Sequence, residues 1–317
     1  MEEYLEELLK EAIKENVTDL HFRSRLVPTI HMRYKNEINE FKSLHLDTYQ
    51  RLMTFLLFKA KIDFNQLSYP QTGSFQMKFY GKTYYFRLSY IPTISDIHLV
   101  LRILNHENVI TFDQLSCDET ELNSFESLLS KEHGLIVVCG PTGSGKSTTL
   151  HCFLEKIKQH SNKNILTIED PIEIYHPDMI QIQVNEQGGL SFENILNQIL
   201  RHDPDVIMIG ELRNSKTAQI AINLSMTGHL VLTTLHASNG KLALKRLKSL
   251  GIDEEDLHQV LLAIITQRLF YHKLTKDPFV VFEIMEHNHD YIPLENKIYQ
   301  YYQNGWLHEK EYKKHSI

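Results

Sequence analysis

Apolar residues at Leu5, Leu8, Leu9, Ala12 and Ile13 recur at i, i+3 and i+4, which predicts an opening helix with one apolar stripe. Behind it come Pro28–Tyr34, Ser74–Tyr80, Thr83–Tyr90 and His98–Leu104, segments rich in β-branched and aromatic residues that predict strands. Gly81-Lys82 stands between two of them at the separation of a hairpin turn. The first hundred or so residues therefore read as a small α+β domain. The polar stretch Asn105–Gln114 follows neither period and is expected to be a linker, with one domain at 1–104 and another at 115–317.

The rhythm changes after Leu115. A helix-like stretch leads into Gly134–Cys139, and this run, Asn164–Ile168, Val206–Ile209 and Leu230–Thr234 are short and largely apolar, as strands buried on both faces are. Helical patterns at Thr148–Gln159, Phe192–Arg201 and Ser215–Met226 separate them. Buried strands alternating with helices predict an α/β domain with a doubly wound, mostly parallel sheet.

Composition narrows the possibilities only in part. With 317 residues, 42% of them hydrophobic, the chain can fill two cores. A formal net charge of -7 argues against a protein that grips nucleic acid along its surface, because phosphate neutralisation needs a basic face. Cys117, Cys139 and Cys152 show no C-x-x-C spacing, so reduced thiols are expected rather than a disulfide framework or a zinc knuckle. The acidic, amphipathic start lacks the basic and apolar regions of a signal peptide, and no apolar run reaches about 18 residues. Work at a membrane is expected to pass through a partner.

The chemistry is concentrated in the second half. Gly140-Pro141-Thr142-Gly143-Ser144-Gly145-Lys146-Ser147 fits the phosphate-binding pattern G-x-x-x-x-G-K-[ST], directly after a predicted strand and before a helix that opens near Thr148. Glycines let successive N–H groups turn toward phosphate oxygens, and the helix start adds partial positive charge. Lys146 is suited to the β- and γ-phosphates and the Ser147 hydroxyl to Mg²⁺. No N-K-x-D sequence is present to read guanine, so ATP is the expected nucleotide.

Three further boxes close strands. His202 to Glu211 is an apolar strand ending in an acid, as a Walker B element is, and Glu211 can orient water or hold Mg²⁺ through water. Thr167 to Glu173 carries three carboxylates, and Thr227 to His236 sets His229 and His236 at the two ends of another strand.

Together these boxes make the chain resemble the secretion ATPase superfamily of type II secretion, type IV pili and DNA uptake, in the family's own order. The resemblance implies a RecA-like P-loop domain. It also implies that Asp170 and Glu173 lie near the metal and water, and that His229 and His236 sense or contact phosphate. Thr18-Asp-Leu-His-Phe22, Gln71-Thr-Gly73, Arg87 to Thr93 and Val100 to Leu104 are similar to the family's N-terminal domain, in which two arginines act as fingers; here these are Arg87 and Arg102. Either Glu173 or Glu211 can serve as general base. Asn214 stands where the family often has aspartate, which leaves the pairing of Arg213 open.

The stretch from Gln183 to Phe192 looks like assembly rather than retraction enzymes, and the short length without a four-cysteine zinc loop is similar to the competence-pilus branch. The resemblance thus implies a cytoplasmic motor, attached to the membrane's cytoplasmic face, that uses ATP and Mg²⁺ to assemble a pseudopilus for DNA uptake. It would act as a homohexamer docked on a polytopic inner-membrane platform protein, with no zinc and no direct grip on nucleic acid. The competing readings are a retraction motor, which shares all four boxes, a nucleic-acid translocase, which calls for a basic channel, and a nucleotide-binding regulator without turnover.

Overall fold

The computed structural model describes residues 1–24, 27–34, 37–93, 97–104, 110–184, 190–286 and 290–315. The chain divides into two compact units, Met1–Asn108 and Val109–Ile317.

In the first unit, α1 (Glu2–Lys14) turns Leu5, Leu8, Leu9 and Ala12 into the core, as their spacing requires. Six strands follow in an antiparallel sheet: β1 (Asp19–Ser24), β2 (Pro28–Tyr34), β3 (Glu37–Ser43), β4 (Gln71–Phe79), β5 (Lys82–Pro92) and β6 (Ile97–Leu104), ordered β3-β2-β1-β6-β5-β4. A second helix, α2 (Leu46–Lys59), joins α1 in covering one face; its Leu52, Leu56 and Leu57 share a core with Leu20, Phe22, Phe86 and Leu88. Along β5, Tyr84, Phe86, Leu88 and Tyr90 are buried, so the alternating Arg87 lies on the other face. The β4–β5 hairpin turns at Tyr80-Gly81, one residue earlier than the sequence pattern suggests, because Phe79 pairs with Lys82. Both turn residues have positive φ, 52° and 79°, as a two-residue primed turn demands.

The second unit holds a seven-stranded sheet: β7 (Gly134–Cys139), β8 (Ile165–Glu169), β9 (Ile180–Gln183), β10 (Val206–Ile209), β11 (Leu230–Leu235), β12 (Leu261–Tyr271) and β13 (Pro278–Glu286), in the order β13-β12-β7-β11-β10-β8-β9. Only the pairing of β13 with β12 is antiparallel. Every residue of β7 is buried, and they divide by parity: Leu135, Val137 and Cys139 enter the core on one side of the sheet, Ile136 and Val138 the core on the other. That two-sided burial is why the strand reads as unbroken apolar sequence.

Helix α3 (Glu119–Leu129) precedes these strands, α4 (Lys146–His160), α5 (Phe192–Ile199), α6 (Ser215–Met226), α7 (Gly240–Ser249) and α8 (Glu254–Val260) lie between them, and α9 (Leu294–Gln303) and α10 (Glu309–His315) follow them. The proposed linker falls partly outside the described residues. Its described part, 110–114, contains a single 3₁₀ turn whose Phe112 is buried 6.3 Å from the Phe153 ring, so it belongs to the second unit's packing. Among the described residues no helix is long and apolar enough to cross a membrane. Burial pushes the Cys139 and Cys152 thiols up to about 12, which leaves both protonated and inert.

Candidate functional site

Four neighbouring parallel strands, β7, β11, β10 and β8, end on one edge of the sheet, and each delivers one of the sequence boxes there. In-register pairing of Cys139 with Leu235, Thr233 with Ile209 and Ile209 with Ile168 keeps those ends level. Open α/β sheets bind ligands at this carboxyl edge.

The phosphate loop leaves β7 and runs into α4. Gly140 has φ 153°, and a Cβ there would meet Gln267 O and Ser144 Oγ, each at 2.5 Å. No side chain fits, because the neighbouring strand's backbone already occupies that space. Gln267, on β12, donates through Nε2 to Ser144 O at 2.6 Å and so holds the loop from the side. The sequence pattern assigned Gln267 no role; it stands between Thr266 and Arg268 in the middle of β12. Gly140→Ala is expected to cost about 2 kcal/mol or more of stability, from strain plus contact. Urea unfolding and titration with an ATP analogue would show a lowered midpoint together with weakened binding.

Lys146 is 9% exposed, and its Nζ donates to Gly140 O and Pro141 O, both at 3.0 Å. Burial pushes its ammonium below the usual lysine range, while the carboxylates of Glu211 first, then Glu173, pull it back up. Ser147 and Thr148 are half-buried in the first turn of α4, whereas Pro141, Thr142 and Gly143 are exposed. An N-terminal helix turn has N–H groups without intrahelical partners. A buried ammonium, a hydroxyl and such a turn are the kinds of group that a magnesium-bound polyphosphate would require.

Around the corner, Arg213 ties two acids together. Its Nε donates to Glu211 Oε2 at 2.9 Å and its Nη1 to Asp170 Oδ2 at 3.0 Å. These bonds, Glu211 foremost, hold the guanidinium above its already high value. Arg213 thus has its partners without any help from position 214. Asn214 instead caps α6, accepting from Thr217 N at 2.9 Å, a job aspartate or asparagine does equally well. His236, at the end of β11, sets Nε2 3.5 Å from Glu211 Oε1. Thr234 Oγ1 donates to Gly210 O at 2.6 Å and Leu212 N to Thr234 O at 3.1 Å, which locks the backbone that carries Glu211. Glu173 lies exposed on the loop after Asp170, which joins Pro171 through a cis peptide bond.

His229 is not brought to this edge. It precedes β11, so six residue steps of about 3.3 Å, roughly 20 Å, separate its level from the strand's far end at Leu235. Its Nδ1 lies 3.0 Å from Leu224 O and 3.1 Å from Thr227 Oγ1, which closes the turn between α6 and β11.

In the first unit, Arg87 and Arg102 face each other across β5 and β6, and Arg102 also pairs with Asp19 on β1. The 4%-exposed Asp19 accepts from Arg102 Nε at 2.7 Å and from Thr18 Oγ1 at 2.9 Å. The Thr18-Asp19 motif therefore fixes one arginine of the pair.

A parallel sheet whose carboxyl edge combines a phosphate loop with an Arg-bridged acid pair and a histidine defines the class: the chain belongs to the type II/IV secretion system protein family, whose pattern matches residues 1–289. Its relatives are specific. It is 37% identical over 270 residues to Competence protein ComGA of Bacillus subtilis (strain 168), covering 85% of this chain and 76% of that protein. It is 38% identical over 264 residues to Type II secretion system protein E of Aeromonas hydrophila, covering 83% of this chain but only 52% of that longer protein. Among solved structures, the pilus retraction motor PilT with bound ADP superposes with a TM-score of 0.80 at 26% identity, over 98% of this chain and 96% of that one.

Proposed function

We propose that this chain is a motor that hydrolyses ATP to drive assembly of a type IV-like competence pseudopilus for DNA uptake. The observation that carries the reading is the meeting of Lys146, Glu211, Arg213 and His236 at one sheet edge. Its support from kinship is the extended identity to a competence protein.

In this reading the phosphate loop, Gly140 to Thr148, cradles the triphosphate. Lys146 offsets charge on the β- and γ-phosphates, and Ser147 with Asp170 would hold Mg²⁺, which neutralises developing charge when bound. Glu211 or Glu173 orients the attacking water. Arg213 keeps Glu211 and Asp170 at a fixed separation, and His236 reports on the phosphate beside Glu211. Arg87 and Arg102 take the finger role that the family resemblance assigns them. His229 supports the fold of the His box rather than the chemistry. The working assembly is a homohexamer on a polytopic platform protein at the cytoplasmic face of the membrane.

A retraction motor is the second reading, supported by the similarity to PilT along nearly the whole chain. Glu211→Gln in the host separates the two. An assembly motor is expected to lose surface filaments and DNA uptake together; persistent or excess filaments would establish retraction instead.

A further inference from the structure

The carboxyl of Glu283 joins three elements that the chemistry above leaves unconnected. It stands on β13 at 2% exposure, directly across from Thr266 of β12. Its Oε1 accepts from the backbone N–H of Gly240, the first residue of α7, at 2.6 Å and from Thr266 Oγ1 at 3.3 Å. Its Oε2 accepts from the backbone N–H of Leu294, the first residue of α9, at 2.7 Å. One buried side chain therefore supplies acceptors to two helix starts, where backbone N–H groups have no partner inside the helix.

The strand pair that carries Glu283 also borders the phosphate loop. Thr266 lies level with Cys139, the last residue of β7, and Gln267 beside it holds Ser144 O. On the far side, α9 buries Leu294 and Ile298 among Phe270, Val281 and Leu307, and its Lys297 meets the buried Glu121 of α3. Packing, an ion pair and the bond to Glu283 thus anchor α9, which gives the carboxyl a firm backing.

His236 has little packing of its own to hold it in place. Its side chain is 48% exposed, with Nε2 3.5 Å from Glu211 Oε1. It opens the short loop 236–239, which is fixed by β11 at one end and by α7 at the other. Asn239 caps α7 by accepting from Leu242 N at 2.9 Å, so the loop's end and the helix start move as one piece. The bond from Gly240 N to Glu283 ties that piece to β13. No slack is left there, since a Cβ on Gly240 would meet Glu283 Oε1 at 2.9 Å and Met285 Sδ at 3.2 Å.

We propose that Glu283 is a positioning residue for His236: it fixes the start of α7, and with it the loop that sets the imidazole beside Glu211. The same carboxyl brings α9 into this support, so the C-terminal helix and the histidine loop rest on one side chain. Glu283 acts only through the backbone of α7. The catalytic consequence rests on the ATPase reading, and the test separates the two.

Two variants of the full chain approach the bond from opposite sides. Glu283→Met keeps the side chain's length and removes every acceptor. Gly240→Ala crowds the carboxyl from the α7 side and leaves the bond to Leu294 in place; alanine is the better helix former, so a loss there is not a loss of helix propensity. Each is expected to lower kcat for ATP about tenfold with KM unchanged, the scale of a displaced catalytic group, and His236→Ala is expected to be slowed at least as much. In the His236→Ala background, Gly240→Ala is expected to change kcat by less than about twofold, because the group it acts through is gone. A KM that rises in step, a His236→Ala rate equal to wild type, or a tenfold loss that persists without His236 overturns the positioning role. Hydrogen exchange in the nucleotide-free chain reads the tie itself: the Gly240 amide is expected to exchange faster in both variants, the Leu294 amide only in Glu283→Met. Unchanged exchange at Gly240 overturns the tie, and Gly240→Ala decides this even where Glu283→Met does not fold. A wild-type chain that never hydrolyses ATP defeats the functional reading, while the exchange measurement still judges the tie.

Discussion

Lys146→Ala is expected to abolish ATP hydrolysis by the purified chain, a loss of about 10³-fold or more, and to weaken nucleotide binding as well. The physical case starts from cost. Burial is the largest influence on this ammonium and opposes its charge, while the attraction of Glu211 and Glu173 is smaller. Two backbone carbonyls are the hydrogen-bond partners it holds. A protein that keeps a costly, half-compensated cation at the start of a helix is arranged for an anion to complete the compensation. Bound triphosphate favours the charged form and moves Lys146 back up toward the ordinary lysine range. Alanine removes that attraction where it acts on the transferring phosphoryl group. The check is phosphate release with a parallel binding titration; turnover within a few-fold of wild type would refute the site.

The second large effect is expected from Glu211→Gln, which should lower kcat by about 10² to 10³-fold while ATP binding stays within a few-fold. Glutamine keeps the shape and still accepts from Arg213 Nε, so the bridge to Asp170 and the neighbouring backbone survive. What disappears is the negative charge and the basicity that water activation needs. A loss of binding as severe as the loss of turnover would instead make Glu211 a structural strut. Glu173→Gln, measured beside it, assigns the base: the acid whose amide binds ATP yet does not turn it over is the one that handles water. Arg213 contributes little stability through these bonds, since all three side chains are partly solvated, with exposures of 57%, 47% and 26%. Its value is geometric.

Much of this was legible one residue at a time. Gly134–Cys139, Val206–Ile209 and Ser215–Met226 are observed at the bounds the pattern suggests, because strands buried on both faces and amphipathic helices leave unambiguous periods. Other elements were silent for physical reasons. β3 is exposed along nearly its whole length and so carries no apolar alternation. Residues 200–202 tighten into a 3₁₀ turn that ends at Asp203 with φ 48°, so the helix stops at Ile199 rather than reaching Arg201.

For the site, the sequence by itself determined the phosphate loop and the acids, because a loop that must cradle phosphate needs its glycines, lysine and hydroxyl at fixed spacings along one continuous segment. Which histidine joins them was decided by the sheet alone. His229 and His236 look equivalent as letters in one box, but a parallel strand has two ends and only one lies beside the loop. The same holds for Gln267 and Arg213. Their partners lie 123 residues away for Gln267 with Ser144 and 43 for Arg213 with Asp170. Contacts between such distant positions leave no period in the chain, and only strand order and register bring them into bonding distance.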